Sequence, residues 1–255
     1  MANYVVIPLI LLLLTSVNNA HADMYETHSS PLDSNPTVCI LEPEPEYQRI
    51  FYSYLLVQTF DSIHHWQNAL LDYSHGNWNI DTKVISFEEH THKKVSDFPK
   101  CNIFFTYSGY SGSKRLGMTQ IDHSNSAHKY DIITIFTETS LYNTSGICIK
   151  CTNQTVISPH IKIPPNGIKA IIDHEFGHAL GLGHYLQTQS HGAKSIMLPY
   201  INPFSKEQPT IEAVDLEALV TLYNTDGFGG KEGFVARYIP VSDLLDKIML
   251  NNTKT

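Results

Sequence analysis

The sequence predicts an α+β fold: one domain over residues 37–224, with a mixed sheet of about five strands and three main helices. Three observations carry this. The chain has 255 residues, 42% hydrophobic and 16% charged, which supplies the apolar material for a real core. Its apolar residues switch between helical spacing and short β-type runs. The resulting order is strand, long helix, several strands, helix, loop, helix.

The elements follow from local signals. Val5 to Leu14 is apolar, broken only by Pro8, and Ala20-His21-Ala22 offers the small-x-small pattern of a signal-peptidase site. Residues 1–22 therefore predict a signal peptide and export. No Lys or Arg precedes Val5, so an uncleaved anchor that leaves the protein on the cell surface is the alternative. Residues 23–36 are polar and predict a loose leader. Thr37 to Leu41 is a β-type run stopped by Glu42-Pro43-Glu44-Pro45. From about Glu46 to Tyr73, Phe51, Tyr54, Leu55, Ile63, Trp66, Leu70 and Leu71 follow an i, i+3, i+4 stripe, and Gly76 is the expected stop.

Strands are expected at Lys83–Phe87, Asn102–Tyr107, Gly117–Ile121 and Asp131–Phe136, the third as an edge. Glu88 to His92 reads as loop, as do residues 138–166. A helix is expected from Ile168 to about Leu180, and a last one from about Thr210 to Tyr223 with Leu216, Leu219, Val220 and Leu222 on its apolar face. Residues 225–255 form a tail in which 242–250 have amphipathic helical spacing.

The formal net charge of −8 argues against nucleic acid or an anionic membrane surface as partner, since both recruit basic patches. Only pairs such as Lys93-Lys94 and Lys114-Arg115 occur. Once the signal is removed, no segment remains that is long and apolar enough to span a bilayer. Export permits disulfides, and the four cysteines allow three pairings. Cys148-Ile149-Lys150-Cys151 sits in loop-like sequence and has no second pair to complete a zinc ribbon. It reads as a local staple, with Cys39–Cys101 as the second bridge. Asn143, Asn153 and Asn251 match the glycosylation acceptor pattern.

The chemistry concentrates in HEFGHALGLGH, residues 174–184. His174 and His178 are four apart on a predicted helix, so both imidazoles leave one face. Glu175 lies to the side, within reach of a water but not of the metal itself. Gly181 can take the left-handed conformation that ends a helix, which lets His184 swing back as third ligand. Three imidazoles leave a fourth position open, the layout of a catalytic zinc site. Zinc would acidify its bound water and polarise a carbonyl, and Glu175 would relay the proton to a leaving amine, which points to peptide-bond hydrolysis. Five fixed positions make a chance match on the order of one in ten thousand in such a chain. The other histidines, His64-His65 and those between His90 and His92, read as surface residues.

HEFGHALGLGH resembles the zinc-binding consensus of the metzincin metalloproteases. Phe176, Ala179, Leu180 and Leu182 make it most similar to the matrixin branch. The resemblance implies a secreted zinc metalloendopeptidase of zincin-like fold, with peptide substrate extended antiparallel along the edge strand. It also implies a methionine turn beneath the metal, for which Met197 in Ser195-Ile196-Met197-Leu198-Pro199-Tyr200 is the candidate. Pro199 and Tyr200 follow as candidate substrate-pocket residues; Tyr200 could equally pack in the core. The resemblance covers about 37–224 and is specific at 174–184. Two departures stand out. No PRCGxPD-like motif occurs, so the family's cysteine latency is missing or replaced. His123 and His128 lie where a second, structural zinc or calcium would bind, but their ligand pattern does not match. Two other readings compete: a non-catalytic zinc- or peptide-binding module, against which an intact Glu175 speaks, and a metal scavenger suggested by the 14 histidines.

Overall fold

Thr37-Val38-Cys39-Ile40-Leu41 forms strand β1 (Thr37–Leu41), and its alternation sets up the whole domain. Val38 and Ile40 enter the main core, while Cys39 points to the opposite face. The computed structural model describes Leu32 and residues 34–111, 115–122, 129–140, 160–185 and 194–229. The expected signal peptide, Cys148 and Cys151, His123 and His128, the three glycosylation acceptors and the 242–250 helix lie outside these residues.

After β1, Pro45 opens α1 (Pro45–Ile50), a π-helical turn (Phe51–Leu55) follows, and α2 (Leu56–Ser74) completes one long helical segment. The predicted stripe is the buried one: Phe51, Leu55, Ile63, Trp66 and Leu70 are all in the core. The helix runs to Ser74, one residue past the expected Tyr73, and its stop comes one residue before the expected Gly76. His75, not Gly76, takes the left-handed conformation at φ 56°, and its N–H bonds back to the Leu71 carbonyl.

β2 (Asp81–Ile85) pairs parallel with β1. The expected loop at Glu88–His92 is instead a short helix, α3 (Phe87–Thr91). Ser86 caps it by accepting from the Glu89 N–H, with two acidic residues in the first turn. The next strands are β3 (Ile103–Tyr110), β4 (Gly117–Asp122) and β5 (Tyr130–Ser140). The expected long loop is shorter at both ends. β5 runs on to Ser140, and a short β6 (His160–Lys162) pairs antiparallel with it. Helices α4 (Pro165–Ala179) and α5 (Ala213–Tyr223) follow.

The sheet order is β2-β1-β3-β5-β4, with β6 added beside β5. All pairs on the main path are parallel except β4–β5. This is the expected mixed sheet, with β4 at the edge. Helices α2 and α4 share one core with Ile103, Phe105, Ile133 and Ile135 on one face of the sheet. The other face carries a smaller cluster of Ile85, Phe98, Phe104, Cys39 and Cys101. There Cys39 and Cys101 form the predicted disulfide, with Cα atoms 5.7 Å apart.

Residues beyond α5 turn back onto the end of α2. Phe228 is fully buried against Trp78 and Tyr223 in edge-to-face contacts. Its N–H donates to the Asn77 carbonyl, and the Asn77 amide donates to the Phe228 carbonyl and to the Asn35 side chain. Gly227, at φ 81°, makes the turn that allows this.

Candidate metal centre and active site

Helix α4 begins three residues before the expected Ile168. Pro165 occupies its first turn, where the missing N–H is harmless and φ is preset. Its inner face is apolar from Ile168 through Phe176, which sinks the helix into the core and leaves His174 and Glu175 buried. Trp66 on α2 donates its indole N–H to the Asp173 carbonyl at 2.9 Å. The Asp173 carboxylate accepts from Lys169 at 2.6 Å and lies 3.6 Å from His65. His64 stacks on Phe60. The histidine pair expected at the surface is thus half-buried, with His65 facing α4.

The end of α4 is a Schellman turn. The Leu182 N–H reaches the Gly177 carbonyl and the Gly181 N–H reaches the His178 carbonyl. Gly181 has φ 108°, a conformation that a side chain resists. The chain reverses there, and His184 returns beside His174 and His178. Candidate ligand atoms of the three rings lie within 4.8 Å of one another.

Each of the two helical imidazoles is oriented by a backbone carbonyl. His174 Nδ1 donates to Ile196 O at 2.8 Å and His178 Nδ1 donates to Leu182 O at 2.7 Å. The Nδ1 bonds turn both Nε2 atoms towards the same space, where they face each other at 3.1 Å. Burial and the neighbouring His178 push His174 down to about 3, so its ring is neutral.

The turn at 195–198 lies under this cluster. Ser195 accepts from the Met197 N–H and donates to the Asp215 carboxylate at 2.6 Å. The Met197 carbonyl accepts from the Tyr185 N–H, next to His184. Met197 is fully buried against Gly177, where any Cβ would strike its sulfur. Tyr200 is 89% exposed, which removes the core reading.

Two contacts here have no local signal in the sequence. Thr119 on β4 donates its hydroxyl to Glu175 Oε2 at 2.8 Å and lies 2.9 Å from the Glu175 carbonyl. Asp215 props Ser195 from 20 residues away. Burial raises the Glu175 carboxyl to about 7, and the Thr119 hydrogen bond opposes that rise.

The matrixin family model matches residues 46–224. This chain belongs to the matrixin family. As a matrixin it is a zinc metalloendopeptidase in general class, and its substrates are peptides or proteins. No individual curated protein matches it closely enough to serve as a relative. Matrixins are typically secreted, and no helix among the described residues is long and apolar enough to cross a membrane. The catalytic zinc of a matrixin fits the donor set described above. The His174 and His178 Nε2 atoms lie 3.1 Å apart and face the same space, a spacing that a shared cation would fit. The third histidine completes three nitrogen donors of the kind zinc takes in catalytic sites.

Proposed function

We propose that this matrixin is a secreted endopeptidase in which His174, His178 and His184 hold the zinc and Glu175 is the general base. The observation that carries the reading is the convergence of three imidazoles, two of them aimed by backbone carbonyls, beside a buried carboxylate. Zinc supplies Lewis acidity to a water and to the scissile carbonyl. Glu175 takes the proton of the attacking water and passes it to the leaving nitrogen as the C–N bond breaks. Met197 forms the apolar floor, and the exposed Tyr200 with Pro199 borders the space where a substrate side chain enters. The peptide main chain pairs along β4.

The test is cleavage of casein by the purified protein, by Glu175→Ala and by wild type treated with a chelator. Activity is expected to fall by roughly a hundredfold or more in Glu175→Ala. It is expected to vanish on chelation and return with added zinc. A Glu175→Ala protein as active as wild type would overturn the mechanism. One tightly held zinc with no cleavage of any peptide would point to a binding module instead.

A further inference from the structure

Strand β4 meets Glu175 at two alternate residues. The Thr119 hydroxyl donates to Oε2 at 2.8 Å. At Gly117, a Cβ would lie 2.7 Å from Oε1 and against the Glu175 Cγ. Residues i and i+2 share one face of a strand, so Gly117 and Thr119 together make a seat: one supplies a donor, the other an empty space.

The same two residues also present their main chain at the sheet edge. The Phe136 N–H bonds to the Leu116 carbonyl, and Gly117 lies opposite Ile135. In an antiparallel ladder this turns the backbone groups of Leu116, Met118 and Gln120 towards β5. Those of Gly117, Thr119 and Ile121 turn outward, and β4 is the edge of the sheet among the described residues.

We propose that Thr119 is the positioning residue for Glu175, with Gly117 as its spatial complement, so that the strand which registers the peptide also fixes the base. This rests on the reading of Glu175 as general base. Threonine suits the task because its branched side chain is stiff about χ1, and its strand is held by β5. Both acceptors within reach of the single hydroxyl proton belong to Glu175, Oε2 at 2.8 Å and the backbone carbonyl at 2.9 Å. The carboxylate therefore loses rotamer freedom before substrate arrives. A peptide pairing with β4 meets a base already at a fixed offset from its own backbone.

The experiment compares Thr119→Val, Thr119→Ser, Gly117→Ala and Glu175→Gln in the zinc-loaded protein. Thr119→Val keeps the shape and removes the donor; it is expected to lower kcat by roughly tenfold or more, with KM within about twofold. Zinc affinity by chelator competition and the Tm are expected to stay at wild-type values. Thr119→Ser is expected to restore most of kcat, and Gly117→Ala to lower kcat as Thr119→Val does. A peptide hydroxamate, which gives up a proton on binding zinc, supplies a second readout. Thr119→Val is expected to weaken it about fivefold with Glu175 present and not at all in Glu175→Gln. Wild-type kcat in Thr119→Val, or equal weakening in both backgrounds, overturns the positioning role. So does a Thr119→Ser protein as slow as Thr119→Val with a lowered Tm. If Glu175→Gln itself stays active, the base assignment fails first; if it is inactive while Thr119→Val is unimpaired, only the present inference fails.

Discussion

Asp131 shows how much a single buried carboxyl can do. It lies at the start of β5, 2% exposed, and burial raises its pKa from 3.8 to about 7. The folded state therefore favours the protonated form. The stability this brings is complete below about pH 4 and is lost as pH rises through 7. Asp131→Asn should remove the dependence. Urea unfolding at pH 5 and pH 8 is expected to show the variant gaining on wild type by roughly 3 kcal/mol at the higher pH. An equal difference at both values would deny the shift. At this scale the sequence was partly legible. His174, Glu175, His178 and Gly181 are readable because helical geometry fixes their relations over a few bonds. Thr119 was not, because its relation to Glu175 spans 56 residues and exists only once β4 lies beside α4.

Among the elements, type was legible more than boundary or neighbour. Strong apolar runs marked β3 and β5, and the stripe from Phe51 to Leu70 marked the long helix. The runs are silent on order: β1 sits between β2 and β3 because of pairing between distant segments. α3 was missed because Glu88 to His92 has no apolar face; its stability comes from Ser86 and from docking. His90 Nε2 meets the Glu42 carbonyl at 2.7 Å, and the Glu42 carboxylate accepts from the Phe87 N–H and the Tyr52 hydroxyl. The disulfide fastens this side of the sheet, joining β1 to the approach to β3 across 62 residues. Chain entropy gives closure of such a loop about 4 kcal/mol. A Cys39→Ala, Cys101→Ala double variant should lose that order of stability in chemical denaturation. Its kcat should be unchanged at temperatures where it remains folded, because the bridge lies on the face away from the histidines. A loss of kcat in the folded variant would mean the two faces are coupled.

In the whole molecule, the last described residues act on the first. Leu32 donates its N–H to the Tyr223 hydroxyl, which in turn donates to the Leu180 carbonyl at the turn that sends His184 back. Asn77 links Asn35 to Phe228. Phe228→Ala should therefore destabilise the domain by about 3–5 kcal/mol, measured by urea unfolding, although it is remote from the histidines. A loss under 1 kcal/mol would show that the contact is incidental. None of this was legible, since Gly227-Phe228-Gly229 has no periodicity to read. The arrangement also bears on how the protein is made. A ribosome releases the chain from one end, so the whole of HEFGHALGLGH emerges well before Asp215, and Leu180 emerges 43 residues before Tyr223. A growing chain owns its three histidines and Glu175 before it owns the contacts that brace their turns. Translation itself sets the delay between the appearance of the histidines and that of the contacts at Asp215 and Tyr223.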